Sequence, residues 1–289
     1  MFAKACEKAM QYTHPLVQNI RTVDGDLQSQ YGTYFFINKQ GWAVTAAHVF
    51  NVMMKFQYDQ KHIQEINQIN EKNKAEGKPE SAVMDPKWIT HHSFWFGADP
   101  IRLSQVHLVS NADLAIFKLD NVPEAFLKET AVFGDVSKLR PGTSLCKLGY
   151  PFIANKPDFK DGNFVMKAGN IAPFPVDGIF TRMATDIIDQ EKKIAIRYIE
   201  TSTPGLLGQS GGPTFDINGI VYAIQSRTVH LPLGFTPKVN EGDKVTTAHQ
   251  FMNVGNGIPV DILIQVLVDR KIPFETVNQD SDGSTYVIR

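Results

Sequence analysis

Tyr34-Phe-Phe-Ile37, Asn38-Lys-Gln-Gly41 and Trp42-Ala-Val-Thr-Ala46 read as a strand, a tight turn and a second strand, the pattern that most narrows what this chain can become. Short apolar runs separated by turn residues recur along most of the sequence. They lie at Ile101–Leu103, Val106–Val109, Leu114–Leu119, Ser144–Leu148, Asn163–Lys167, Lys193–Glu200, Gly219–Ser226 and Gln250–Val254. Strands at this spacing predict an all-β chain of barrel type. Gly134-Asp135 and Pro141-Gly142 punctuate a polar connection over 120–144, which places a domain junction there.

Three segments break the strand pattern. Residues 2–12 read as a short helix. Residues 58–77 are rich in Gln, Asn, Lys and Glu, with Ile63, Ile66 and Ile69 on one helical stripe. That composition predicts a solvated surface helix packed weakly on the β fold, rather than a cofactor or partner element. Pro259 followed by Val260–Val268 predicts one amphipathic helix with proline near its first turn. The residues after 270 read as a polar tail.

Lys and Arg number 29 against 30 Asp and Glu, a net charge of −1, which gives no electrostatic reason to expect nucleic acid or an anionic membrane as a partner. Cys6 and Cys146 are too few for a disulfide framework and are not spaced as metal ligands, which favours a reducing compartment. Lys4, Glu7 and Lys8 interrupt the apolar stretch a signal peptide needs. No apolar run reaches the roughly 18 residues that span a bilayer. The expectation is a soluble, cytoplasmic protein.

Three polar motifs carry chemistry. Gly208-Gln-Ser-Gly-Gly-Pro213 sets a hydroxyl on a glycine-rich turn, where the N–H groups of Gly208 and Ser210 can hold a developing oxyanion. Alone it could be a hairpin turn. Thr45-Ala-Ala-His-Val49 puts His48 at the end of a strand with small neighbours, as a general base requires. Alone His48 would read as a packed core histidine. Asn111-Ala-Asp-Leu-Ala-Ile116 opens a buried strand with Asp113, where a carboxylate can fix a histidine tautomer. Alone it would be a cap. Together they run His, Asp, Ser, at spacings of 65 and 97 positions, each interval long enough for most of a barrel.

On these motifs the chain resembles the trypsin-like peptidase family, especially its bacterial HtrA-type branch. Similarity runs from about Gly32 to Val268. Phe133–Gly142 and Lys147-Leu-Gly-Tyr-Pro-Phe152 resemble the opening of the family's second barrel, Thr201–Gly212 its nucleophile loop, and Gly257-Ile-Pro-Val260 its barrel exit. The resemblance implies two six-stranded antiparallel β-barrels with the active site between them. The expected layout is an N-terminal helical extension over 1–15 and a first barrel over 16–130 with the 58–77 insertion. A second barrel with the C-terminal helix follows over 131–270, then a tail over 271–289. No length remains after 270 for the peptide-binding module of many HtrA proteins.

The implied function is serine endopeptidase, with His48, Asp113 and Ser210 as catalytic triad, Gly208 and Ser210 N–H as oxyanion hole, and a protein or peptide substrate. No cofactor or metal is implied. Gln209 stands where members activated by N-terminal cleavage carry an acid that pairs with the freed terminus, so that activation is not expected. Pro204 falls at the floor of the specificity pocket, and Gln225, Ser226 and Arg227 on its wall. Gln225 could bind a polar and Arg227 an acidic side chain, against a plainer reading of both as surface polarity. His91-His92 lacks further ligands for zinc, and the Gly205–Gly212 glycines lack the Lys-Ser/Thr of a phosphate loop. Two rival functions remain: a chaperone-like or scaffold protein on a protease fold, and an esterase using the same triad.

Overall fold

The run Tyr34–Ile37 is buried without alternation because both of its faces are covered. Tyr34 and Phe36 point into a cluster with Phe96 and Phe117, while Phe35 meets Tyr12 of an N-terminal helix. The structure, a computed structural model, describes residues 1–153, 157–165, 171–189, 194–235, 238–241, 244–247, 250–279 and 285–288.

Helix α1 (Ala3–Tyr12) leads into strand β1 (Thr13–Thr22), followed by β2 (Leu27–Phe36) and β3 (Trp42–Ala46). A 3₁₀ turn at Ala47–Phe50 runs straight into α2 (Asn51–Ala75), before β4 (Ile89–Trp95), β5 (Arg102–Val109) and β6 (Leu114–Asp120). These six strands form one antiparallel sheet in the order β4-β1-β2-β3-β6-β5, curled over the aromatic core. Among the described residues no ladder joins β4 to β5, so this sheet is a half-barrel rather than the closed barrel expected.

Strands β7 (Val132–Phe133) and β8 (Ser144–Gly149) begin the second unit, with a small hairpin of β9 (Asp158–Lys160) and β10 (Asn163–Val165). It continues through β11 (Phe174–Asp189), β12 (Ile194–Thr201), β13 (Pro213–Phe215) and β14 (Val221–Pro232). A second hairpin, β15 (Lys238–Glu241) with β16 (Lys244–Thr247), precedes β17 (Phe251–Pro259), α3 (Val260–Asp269), β18 (Glu275–Gln279) and β19 (Thr285–Ile288). Because β13 pairs with both β8 and β14, six strands close a ring in the order β13-β8-β11-β12-β17-β14. The fold is chymotrypsin-like: two β units and flanking helices.

The elements differ from expectation in three places. Helix α2 starts seven residues earlier than 58, because Val52 packs with Ile20 and Ile89 and Asp59 is buried against β4. Asp59 Oδ2 accepts the Ile89 N–H at 2.8 Å and Lys55 Nζ at 2.5 Å, an anchor more specific than the isoleucine stripe. Ile69 on that stripe is exposed. Strand β11 was not anticipated, since Asp177-Gly178 reads as a turn in sequence yet lies within an extended ladder with β8. The segment after 271 forms strands, β18 pairing in parallel with β7. Of the expected strand over 163–167, Asn163–Val165 forms β10, and residues 166 and 167 lie outside the described residues. Helix α3 buries Val260, Leu263 and Leu267, the i, i+3, i+7 face its pattern implies.

Candidate active site

The antiparallel pairing of β3 with β6 sets Ala46 opposite Leu114, so the residues just past that pair meet at the sheet's end. Ala47 N–H donates to the Asp113 carbonyl at 3.0 Å. Ala47, Val49 and Phe50 are buried, and this leaves His48 as the outward residue of its 3₁₀ turn. Asp113 has φ +50°, a left-handed conformation that aspartate tolerates better than most residues. The carboxylate accepts the backbone N–H of His48 at 2.9 Å and lies 2.9 Å and 3.1 Å from its Nδ1. Nδ1 therefore carries the proton, and Nε2 is left as the acceptor.

Burial would raise the Asp113 carboxyl, but the hydrogen bond and charge of His48, then Ser226, outweigh it and hold the group below the usual carboxylate range. Ser226 Oγ donates to Asp113 Oδ2 at 2.5 Å. The Ser226 carbonyl accepts Ser210 Oγ at 3.2 Å. One residue of β14 thus connects the acid to the serine, and His48, Asp113 and Ser210 belong to one local hydrogen-bonded cluster. Ser210 Oγ points to Ser226 in this conformation, and no hydrogen bond joins it to His48 among the described residues.

The loop that carries Ser210 is fixed from both β units. Gly208 has φ +97°, and a Cβ there would sit 2.5 Å from the Tyr150 carbonyl. Gly211, at φ +87°, lies so close to the first sheet that a Cβ would overlap Thr45 Oγ1 at 1.9 Å. Thr33 N–H donates to the Ser210 carbonyl at 2.8 Å, and Thr33 Oγ1 donates to the Gly208 carbonyl at 2.7 Å. Gln209 is fully buried: Oε1 accepts the Leu206 N–H and Nε2 donates to the Phe174 carbonyl, both at 2.9 Å. Neither the Gly208 nor the Ser210 N–H has a protein acceptor among the described residues.

A cavity of about 240 Å³ opens at Ser210. Gly205, Leu206 and Leu207 form one wall, and Gln225, Ser226, Arg227 and Thr228 form the other. Pro204, expected at its floor, is outside the lining, because the wall begins one residue later. Thr228 Oγ1 donates to the Gly205 carbonyl at 2.6 Å and ties the walls together. Gln225 is 2% exposed, and its amide N–H donates to the Arg227 carbonyl at 3.0 Å. Arg227 pairs with Asp186 and lies on the Tyr198 ring, 4.6 Å from its centroid, so its charge is already engaged. A larger cleft of about 620 Å³ shares Arg227 and Thr228 and runs outward between β11 and β14.

Thr33, Leu206, Leu207 and Thr228 belong to the site but were not singled out in the sequence. Thr33 had a signal: a polar residue directly before an unbroken apolar run. Ser226 was marked as a pocket residue, and its contact with Asp113 had no sequence signal.

The trypsin-like peptidase domain matches residues 32–224, a stretch containing all three motifs. A probable periplasmic serine endoprotease, DegP-like, from Pseudomonas fluorescens is 28% identical over 178 residues, covering 60% of this chain and 33% of that protein. The chain thus matches about a third of that relative's length. The Rv3671c protease from M. tuberculosis in its active form superimposes with a TM-score of 0.50 at 14% identity, over 91% of this chain and 82% of the other. An HtrA-type protease in a structure with a decapeptide gives 0.50 at 13% identity, over 97% and 72%. These two likenesses concern the fold. Among the described residues no helix is long and apolar enough to cross a membrane. The relative's name places it in the periplasm, so the cytoplasmic expectation finds no support there.

Proposed function

Because the chain belongs to the trypsin-like peptidase family, we propose that it is a serine endopeptidase of the HtrA-type branch acting through Ser210, His48 and Asp113. The observation that carries this reading is the continuous contact Ser210–Ser226–Asp113–His48, beside two amide donors without protein acceptors.

An extended peptide adds to the open edge of β14, since beyond Ile224 that edge carries no strand among the described residues. A substrate N–H then takes the Ser226 carbonyl, and the Ser210 hydroxyl turns from that carbonyl to His48 Nε2. Ser210 Oγ attacks the scissile carbonyl while His48 Nε2 accepts its proton. The imidazolium is stabilised by Asp113, whose ionised form His48 and Ser226 both favour. The N–H groups of Gly208 and Ser210 hold the oxyanion. His48 returns the proton to the leaving amine, leaving an acyl group on Ser210. Water, deprotonated by His48, then cleaves that ester and restores the serine. The side chain before the scissile bond enters the 240 Å³ cavity, whose walls, tied by Thr228 and Gly205, suit a short residue.

Internally quenched peptides test the proposal. The protein cleaves them within the chain, and Ser210→Ala lowers kcat by about a millionfold with the fold retained. Proteolysis by purified Ser210→Ala protein overturns it, and so does a folded wild type that only holds unfolded chains or only hydrolyses simple esters.

A further inference from the structure

Lys147, in the middle of β8, is 1% exposed, one of the largest fully buried side chains in the protein. Among the described residues no carboxylate lies within ion-pairing distance of its Nζ. Its three N–H bonds go instead to one short segment: Thr201 Oγ1 at 2.9 Å, Thr203 Oγ1 at 2.9 Å, and the Thr203 carbonyl. A buried ammonium without a counter-charge is a poor way to stabilise a core, since its desolvation is repaid only by those hydrogen bonds. An apolar residue would serve packing better.

Two residues past Thr203 the chain becomes the wall of the cavity at Ser210: Gly205, Leu206 and Leu207. The far end of that wall is held by Gln209, which accepts the Leu206 N–H, and by Thr228, which reaches the Gly205 carbonyl. Lys147 holds the near end. Strand β17 seals the ammonium in place, for a Cβ at Gly255 would lie 2.9 Å from Nζ and 2.7 Å from the Thr203 carbonyl. We propose that Lys147 is a positioning residue for substrate selection: its ammonium fixes the turn Thr201–Thr203 and so sets the wall against which the substrate side chain packs. The inference rests on the peptidase reading for its kinetic consequence, but not for its structural one.

Burial pushes the Lys147 ammonium down to about 8, with the Cys146 thiol beside it and Asp177 on β11 acting in the opposite direction. The other packed strands present Thr214 from β13, Thr201 from β12 and Gly255 from β17. Losing one of three donors above that pH leaves an acceptor on Thr201 or Thr203 without its partner.

The test compares Lys147→Met, Thr203→Val and Thr203→Ser in the full chain. It uses a quenched peptide, a small fluorophosphonate lacking a pocket-filling group, and amide hydrogen exchange. Lys147→Met and Thr203→Val are expected to raise KM roughly tenfold or more, the scale of a lost charge-assisted hydrogen bond. Both leave fluorophosphonate labelling of Ser210 within about threefold, because that reaction bypasses the wall. Exchange over 202–207 quickens roughly tenfold without a general change. Thr203→Ser keeps the acceptor and stays with the wild type. Wild-type KM and exchange in folded Lys147→Met overturn the inference, as does faster exchange spread evenly over β8, β11 and β12. If Lys147→Met does not fold, wild-type behaviour of Thr203→Val overturns it. A wild type that cleaves nothing sinks the peptidase reading alone, and exchange over 202–207 still decides the role of Lys147.

Discussion

Ser226 Oγ donates to Asp113 Oδ2 across the boundary between the two β units. The acid therefore has partners on both sides, His48 from its own unit and Ser226 from the unit that carries Ser210. Strand β14 registers the two halves of the site against each other. Ser226→Ala removes a hydrogen bond to a charged group, worth about 1.5–3 kcal/mol. The expected result is a fall in kcat/KM of roughly 10- to 100-fold, together with a lower melting temperature, since Ser226 is buried. Steady-state kinetics and a melting curve on the same sample check this, and unchanged kcat/KM would remove Ser226 from the account.

Acid should weaken the fold through two buried histidines. His14, stacked on Phe126, and His92 are both pushed down to about 4 by burial. In the unfolded chain each takes up a proton near the ordinary histidine value of about 6.5. Between about pH 6.5 and 4 the unfolded state binds more protons, so stability falls as pH drops through that window. Each histidine contributes on the order of 3 kcal/mol. Urea denaturation at pH 7 and pH 4.5 should show the loss, and His14→Phe should reduce it. A flat profile over that range would contradict the assignment.

Gln209 leaves no position for an acid in the nucleophile loop. Its amide serves both as acceptor for Leu206 and as donor to the Phe174 carbonyl, and a carboxylate can do only the first. Gln209→Glu is expected to lower the melting temperature and kcat/KM together, because a charge would be buried without a cation. The unaltered protein is expected to be fully active without N-terminal trimming. An assay before and after trimming settles the second point, and a large gain on cleavage would count against it.

Asp59 anchors α2 to the start of β4, away from the serine. Asp59→Ala strands the Ile89 N–H in the interior and should cost about 1–3 kcal/mol of stability. The kcat/KM at low temperature should stay within about threefold. A larger kinetic loss would mean that α2 also holds the His48 turn, which it directly follows.

The site was more legible than the scaffold, for a physical reason. His48, Asp113 and Ser210 stand out as polar residues among small or apolar neighbours, and local sequence preserves that contrast. Ser226 and Lys147 act through partners many residues away, and nothing beside them in sequence announces those contacts. Helix α2 shows the same limit. Its isoleucine spacing was visible, while the contact of buried Asp59 with β4 that fixes it had no sequence signal. Strand β11 was hidden because Asp177-Gly178 has turn chemistry, and the β7–β18 pairing because parallel partners far apart leave no hairpin signal.

The direct measurement is intact-mass and peptide-level analysis after exposure to a fluorophosphonate. One adduct, on Ser210, is expected in the wild type, with its formation slowed by several orders of magnitude in His48→Ala. A folded wild-type protein that forms no adduct, or forms it equally fast without the His48 imidazole, would contradict the proposal that this serine is activated by His48.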